Sequence, residues 1–120
     1  MEVVGLTVDL PVQSLDAARP FYDAVMARPP DLNPAGTAEW ILRRDPEVAV
    51  RVVETDVPVL CSGRLGIGVA DVDAERARLS TLFDRVPDVR RKPGVIATLE
   101  LTDPSGNQIV LWQDLLPRPE

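Results

Sequence analysis

The side chains this chain offers for chemistry are few. Its 120 residues hold no histidine, one cysteine and two tryptophans, beside 19 acidic and 13 basic residues. Without an imidazole, neither a Ser-His-Asp relay nor a Cys-His nucleophile can be assembled. The cysteine, Cys61, therefore reads as an ordinary linker or buried thiol. Stacking by Trp40 and Trp112 remains, together with ion pairing or general-base work by carboxylates such as Asp9 and Glu100. Residues 63–68 carry the spacing G-x-x-G-x-G. No helix start follows that run and no Lys-Ser/Thr pair completes it, so it is not read as a phosphate cradle.

The elements that must position these residues are legible from periodicity. Val3–Leu10 alternates as a strand, with Leu6, Val8 and Leu10 on one face and Gly5, Thr7 and Asp9 on the other. Ser14 can cap a helix in which Leu15, Ala18, Phe21, Tyr22 and Val25 recur at helical spacing. Pro20 removes a donor inside that helix and predicts a short first turn or a local bend. Pro29-Pro30 forbids continuation, and Asp31–Gly36 reads as loop with room for a short edge strand. Ala38–Arg44 and Val48–Glu54 form a hairpin across Asp45-Pro46-Glu47. After a linker at Thr55–Ser62, Gly63–Val69 reads as a second leading strand. Asp71 caps a second helix over roughly Asp73–Arg85. The basic stretch Pro87–Pro93 reads as a solvated turn. Val95–Thr102 and Gln108–Gln113 form the last hairpin, and Pro117–Glu120 reads as a frayed tail.

This order is one unit used twice. Val12, Asp16, Ala17 and Arg19 are answered in sequence by Val69, Asp73, Ala74 and Arg76, and Asp45-Pro46 by Asp103-Pro104. Such repetition marks a supersecondary unit that cannot bury its apolar face alone. The boundaries fall at about 1–55 and 62–114 within a single domain, and the site is expected in the cleft the two units build. With these residues in place, Leu10-x-Val12-x-x-Leu15-x-x-Ala18-x-x-Phe21-Tyr22 and Asp103-Pro104-Ser105-Gly106-Asn107-Gln108-Ile109-Val110-Leu111 resemble the vicinal-oxygen-chelate superfamily. That superfamily includes glyoxalase I, bleomycin-resistance proteins and extradiol dioxygenases. The resemblance implies an α+β fold of two βαβββ modules in pseudo-twofold arrangement, with curled mixed sheets around a shared cleft, in a homodimer.

Enzymes of that superfamily place a His on the first strand of each module and a Glu on the final strand. The matching positions here are Thr7, Arg64 and Val110. Thr is a poor ligand, Arg is a permanent cation and Val offers no donor. The resemblance therefore points to the metal-free members that bind and sequester a drug. No metal and no cofactor is expected, and neither metal-dependent lyase nor dioxygenase activity.

Candidate ligand contacts follow from the alternation. Rows rich in Leu, Val and Ile should cover the helices, which leaves the opposite rows for the ligand. Those rows supply Thr7 and Asp9, then Arg64, Thr98, Glu100, Val110 and Trp112. Trp112 leads, as a flat surface for stacking or for holding a cation; the alternative is a core or dimer-interface role. For Trp40 either row could face inward, so core burial and ligand contact both stay open. Asp9 and Glu100 either meet a ligand or pair with Arg51 or Arg64. Arg64 either orders such a network or binds a ligand carboxylate. Gly66 and Gly68 leave room above the sheet, for a ligand or for close packing.

Composition bounds the rest. A net charge of −6 argues against nucleic acid or an anionic membrane as partner. No apolar run approaches a membrane span, no signal peptide is evident, and a lone cysteine fits the reducing cytoplasm. The sequence-level reading is a cytoplasmic protein that takes a small organic ligand without a metal, with antibiotic sequestration as its leading form. The alternative is an enzyme of the same fold with a cleft carboxylate as base.

Overall fold

The computed structural model describes residues 1–56 and 63–117. Cys61 and the last three residues of the tail lie outside the described set. The chain divides into two compact units. The first comprises Met1–Gly63 with Asp103–Asn107, the second Arg64–Thr102 with Gln108–Glu120. The class is α+β, as expected, and no helix among the described residues is long and apolar enough to cross a membrane.

In the first unit, β1 (Gly5–Val12) leads into α1 (Leu15–Met26), then β2 (Thr37–Arg44) and β3 (Glu47–Glu54). The sheet order is β1-β3-β2, with β1 parallel and β2 antiparallel to β3. The hairpin turns at Asp45-Pro46, whose peptide bond is cis. Ser14 caps α1 by accepting from the Ala17 N–H at 3.2 Å. The helix runs on through Pro20 and ends at Ala27, which takes a left-handed conformation ahead of the two prolines. Its buried residues Ala18, Tyr22 and Val25 cover a sheet row that includes Leu10, Val12, Ala38, Trp40, Val50 and Val52, all buried. The edge strand allowed for in Asp31–Gly36 is a single bridge, Leu32 with Glu39.

The second unit repeats the plan with β4 (Arg64–Gly68), α2 (Val72–Ser80), β5 (Arg90–Lys92), β6 (Ile96–Thr102) and β7 (Gln108–Asp114). Its order, β4-β7-β6-β5, matches the first sheet strand for strand, with β5 in the place of the lone Leu32 bridge. Asp71 caps α2 through the Ala74 N–H at 3.1 Å. Val72 and Leu79 are buried on the helix side, as are Ala97, Leu99, Leu101, Ile109 and Leu111 of the sheet. Two sequence expectations are corrected here. The helix stops at Ser80 rather than Arg85. The Ser80 hydroxyl donates to the Arg76 carbonyl and the Thr81 hydroxyl to that of Arg78, so short polar side chains take up backbone acceptors at the helix end. The basic stretch is also not all turn, because Arg90–Lys92 pairs antiparallel with β6.

Candidate functional site

Strand alternation in the second unit divides its sheet cleanly. The even-numbered residues of β4, β6 and β7 share one face, and the odd-numbered ones form the row under α2. Gly68, Trp112, Thr98 and Arg90 stand opposite one another across four strands, and Gly66, Val110 and Glu100 form the neighbouring row. Arg64, Gln108 and Thr102 form a third. All lie on the face away from α2. Five of the candidate residues, Arg64, Thr98, Glu100, Val110 and Trp112, are thus gathered on one sheet face.

Trp112 lies flat across β4. A Cβ at Gly68 would come within 2.8 Å of indole atom Cζ2, and one at Gly66 within 3.4 Å of Nε1. The space above the two glycines is therefore filled by the protein's own indole. No other residue type would allow that approach, since any side chain at Gly68 would lift the ring. Trp112 remains 36% exposed. One face rests on the strand and the ring still meets solvent, which makes a rigid plate. Val110, 6% exposed, adds an apolar floor beside it.

Polar groups border the plate. Arg64 donates to Gln108 Oε1 at 2.8 Å and lies 3.8 Å from Glu100 Oε1. A cavity of about 280 Å³ is lined by Pro87, Asp88, Arg90, Glu100, Thr102 and Gln108. The basic residue Arg90, which the sequence alone places in a turn, joins this set through β5. No sequence signal marked its strand, since Arg90, Arg91 and Lys92 are all basic and all exposed.

The corresponding face of the first sheet carries Thr7 and Asp9. Arg51 donates to both oxygens of Asp9, at 2.7 and 2.9 Å, and lies 3.9 Å from Glu39. These three residues are in register across β1, β3 and β2. The Asp9 hydrogen bonds hold the Arg51 guanidinium above its ordinary value. Asp9 is thus a structural partner of Arg51. Thr7 is exposed opposite Ala49. Trp40 leaves the candidate set. It sits in the helix-covered row, 0% exposed, with its ring centroid 6.1 Å from that of Tyr22 and its indole N–H donating to the Arg28 carbonyl at 3.0 Å.

The two sequence motifs meet inside the first unit. The Tyr22 hydroxyl donates to Asp103 Oδ2 at 2.6 Å, and Asn107 Nδ2 donates to the same oxygen at 2.9 Å. The Ser105 and Asn107 backbone N–H groups donate to Oδ1, each at 2.8 Å. Asn107 also donates to the Pro11 carbonyl and accepts from the Gly63 N–H at 2.7 Å. Tyr22 and Asn107 are fully buried. Burial first, then the hydrogen bond and negative charge of Asp103, pushes the Tyr22 phenol far above its ordinary value. This is a scaffold knot with no access for a substrate.

The positions that would carry a metal do not fit one. In the first unit Thr7 offers one neutral hydroxyl and Asp9 faces Arg51; in the second, Arg64 and Val110 offer no donor and Glu100 faces Arg64. Among the described residues, no group of three or more His, Cys, Asp or Glu could hold a metal ion.

Comparison with solved structures fits this geometry. The chain is similar to a glyoxalase/bleomycin resistance protein from Catenulispora acidiphila, with 20% identity, 91% of this chain and 96% of that one covered, and a TM-score of 0.77. It is similar to a lactoylglutathione lyase from Agrobacterium tumefaciens at 20% identity, 92% coverage of each chain and a TM-score of 0.70. It is also similar to a bleomycin-binding protein solved in complex with bleomycin, at 17% identity, with 91% and 97% covered and a TM-score of 0.68. No protein-family model matches the chain, and no curated protein matches it. The fold is that of the glyoxalase/bleomycin-resistance proteins, and at the level of the fold the resemblance read from the sequence holds.

Proposed function

We propose that this chain binds a small organic molecule with a planar ring, without a metal, on the sheet face around Trp112. The observation that carries the reading is the indole plate, seated on Gly66 and Gly68 and still exposed. A preformed aromatic surface loses little freedom when a ligand stacks on it, and stacking adds to the gain from buried area. The donor chemistry at Thr7, Arg64 and Val110 supports metal independence. Among the structural neighbours, one is a bleomycin-binding protein, which favours sequestration of an antibiotic-like compound in the cytoplasm. The alternative, catalysis by a carboxylate base, finds less support, since both Asp9 oxygens accept from Arg51.

Thermal-shift screening against aromatic natural products is the direct test, because saturation at 100 times the dissociation constant adds about 2.7 kcal/mol of stability. A hit should change tryptophan fluorescence. Trp112→Ala should weaken its binding by about 1–3 kcal/mol in a protein that still folds. Unchanged affinity in a folded Trp112→Ala protein removes the plate from the site.

A further inference from the structure

The cavity beside the plate contains one charge that its surroundings do not answer. Of its acidic lining residues, Asp88 lies 3.3 Å from Arg76 and Glu100 lies 3.8 Å from Arg64. Gln108 accepts from Arg64 through its side-chain oxygen. Arg90 makes no side-chain hydrogen bond or ion pair among the described residues, although it lines the same cavity. Each carboxylate is therefore matched by an arginine, and Arg90 is left over as a net positive charge. The −6 of the whole chain is distributed elsewhere and does not cancel it locally.

Register fixes where that charge lies. Trp112, Thr98 and Arg90 stand opposite one another on β7, β6 and β5. Neighbouring strands are about 4.8 Å apart, so β7 and β5 are separated by about 10 Å of sheet, and the indole, which leans over β4, lies about 14 Å from β5. Thr98 and Thr102 add hydroxyls on the same sheet face. A ligand with its ring on Trp112 and a chain running across the sheet normal to the strands would carry a substituent toward Arg90. A guanidinium offers paired N–H donors shaped for a carboxylate, sulfonate or phosphate.

We infer that Arg90 anchors an anionic group on the ligand whose ring stacks on Trp112, so that the ligand class is a planar aromatic acid. This rests on the plate reading above and adds a charge requirement to it. The net negative chain would otherwise favour cationic ligands, and the two readings separate experimentally.

The test uses 4-(naphthalen-2-yl)butanoate and its primary amide, titrated into wild type, Arg90→Gln, Arg90→Lys and Trp112→Ala by calorimetry, with melting curves for each variant. Wild type should bind the acid about tenfold more tightly than the amide. Arg90→Gln should abolish that preference and Arg90→Lys should keep part of it. Trp112→Ala should weaken both probes alike. Arg90 is exposed, so its variants should melt with wild type. Equal binding of acid and amide by wild type, with both lost in Trp112→Ala, overturns the anion inference and leaves the plate standing. A preference that persists in Arg90→Gln also overturns it. Binding of neither probe, or binding indifferent to Trp112, overturns both.

Discussion

Tyr22 is the chain's single tyrosine, so its titration can be followed without interference from another phenol. The folded protein holds this phenol neutral well above the ordinary value of 10.0. Its contribution to stability is whole below pH 10 and is lost as pH rises further, because the unfolded chain gives up the proton first. The phenolate absorbance of the native protein should stay flat through pH 10–11 and rise only with unfolding, whereas protein in denaturant should titrate near 10. A native curve that titrates near 10 would mean the Tyr22–Asp103 hydrogen bond does not hold in solution. Tyr22→Phe should cost about 1–2 kcal/mol in urea unfolding, since Asp103 keeps three other donors. The sequence marked both partners through the motifs they belong to. That they touch was not legible, because 81 positions separate them. Trp40 shows the opposite limit: Glu39 before it and Ile41 after it leave the two rows of the strand only partly distinct, and the packing of Tyr22 assigns it.

The helices begin the same way in both units, and here the duplication is functional in a physical sense. Ser14 and Asp71 occupy equivalent places in the repeat, and each satisfies an N–H that would otherwise be orphaned. Ser14→Ala and Asp71→Ala should each destabilise by about 1 kcal/mol, read as a lower urea midpoint with an unchanged slope. A null effect in both would show that the caps are not what starts these helices. Strands with one apolar and one polar row were legible because burial imposes the alternation. β5 was not, since three consecutive basic residues carry no apolar row at all. The end of α2 was missed for another reason. Leu82 and Phe83 extend the helical spacing, but Leu82 is exposed, and the hydroxyls of Ser80 and Thr81 decide the boundary.

At the scale of the molecule, we propose a homodimer, as the resemblance implied. Val3, Val4, Leu6 and Leu42 are exposed apolar residues of the first unit. Leu6 stands opposite Val48, which in turn faces Arg43 next to the β2 irregularity, so Leu6 and Leu42 fall at the same end of the sheet. Apolar side chains gathered there suit an isologous contact with a second copy. Light scattering should return twice the 13.1 kDa of one chain at micromolar concentration, and Leu6→Lys should shift the mass toward the monomer. A wild-type mass of 13.1 kDa contradicts the dimer. The placement of Asp103–Asn107 in the first unit has a further consequence, for the order in which the chain is made. A ribosome releases Tyr22 early, but the carboxylate that accepts its hydroxyl arrives only when most of the chain has been synthesised. The first unit is therefore closed only after Arg64–Thr102 of the second has been made, and a fragment that ends before Asp103 leaves a buried phenol unanswered.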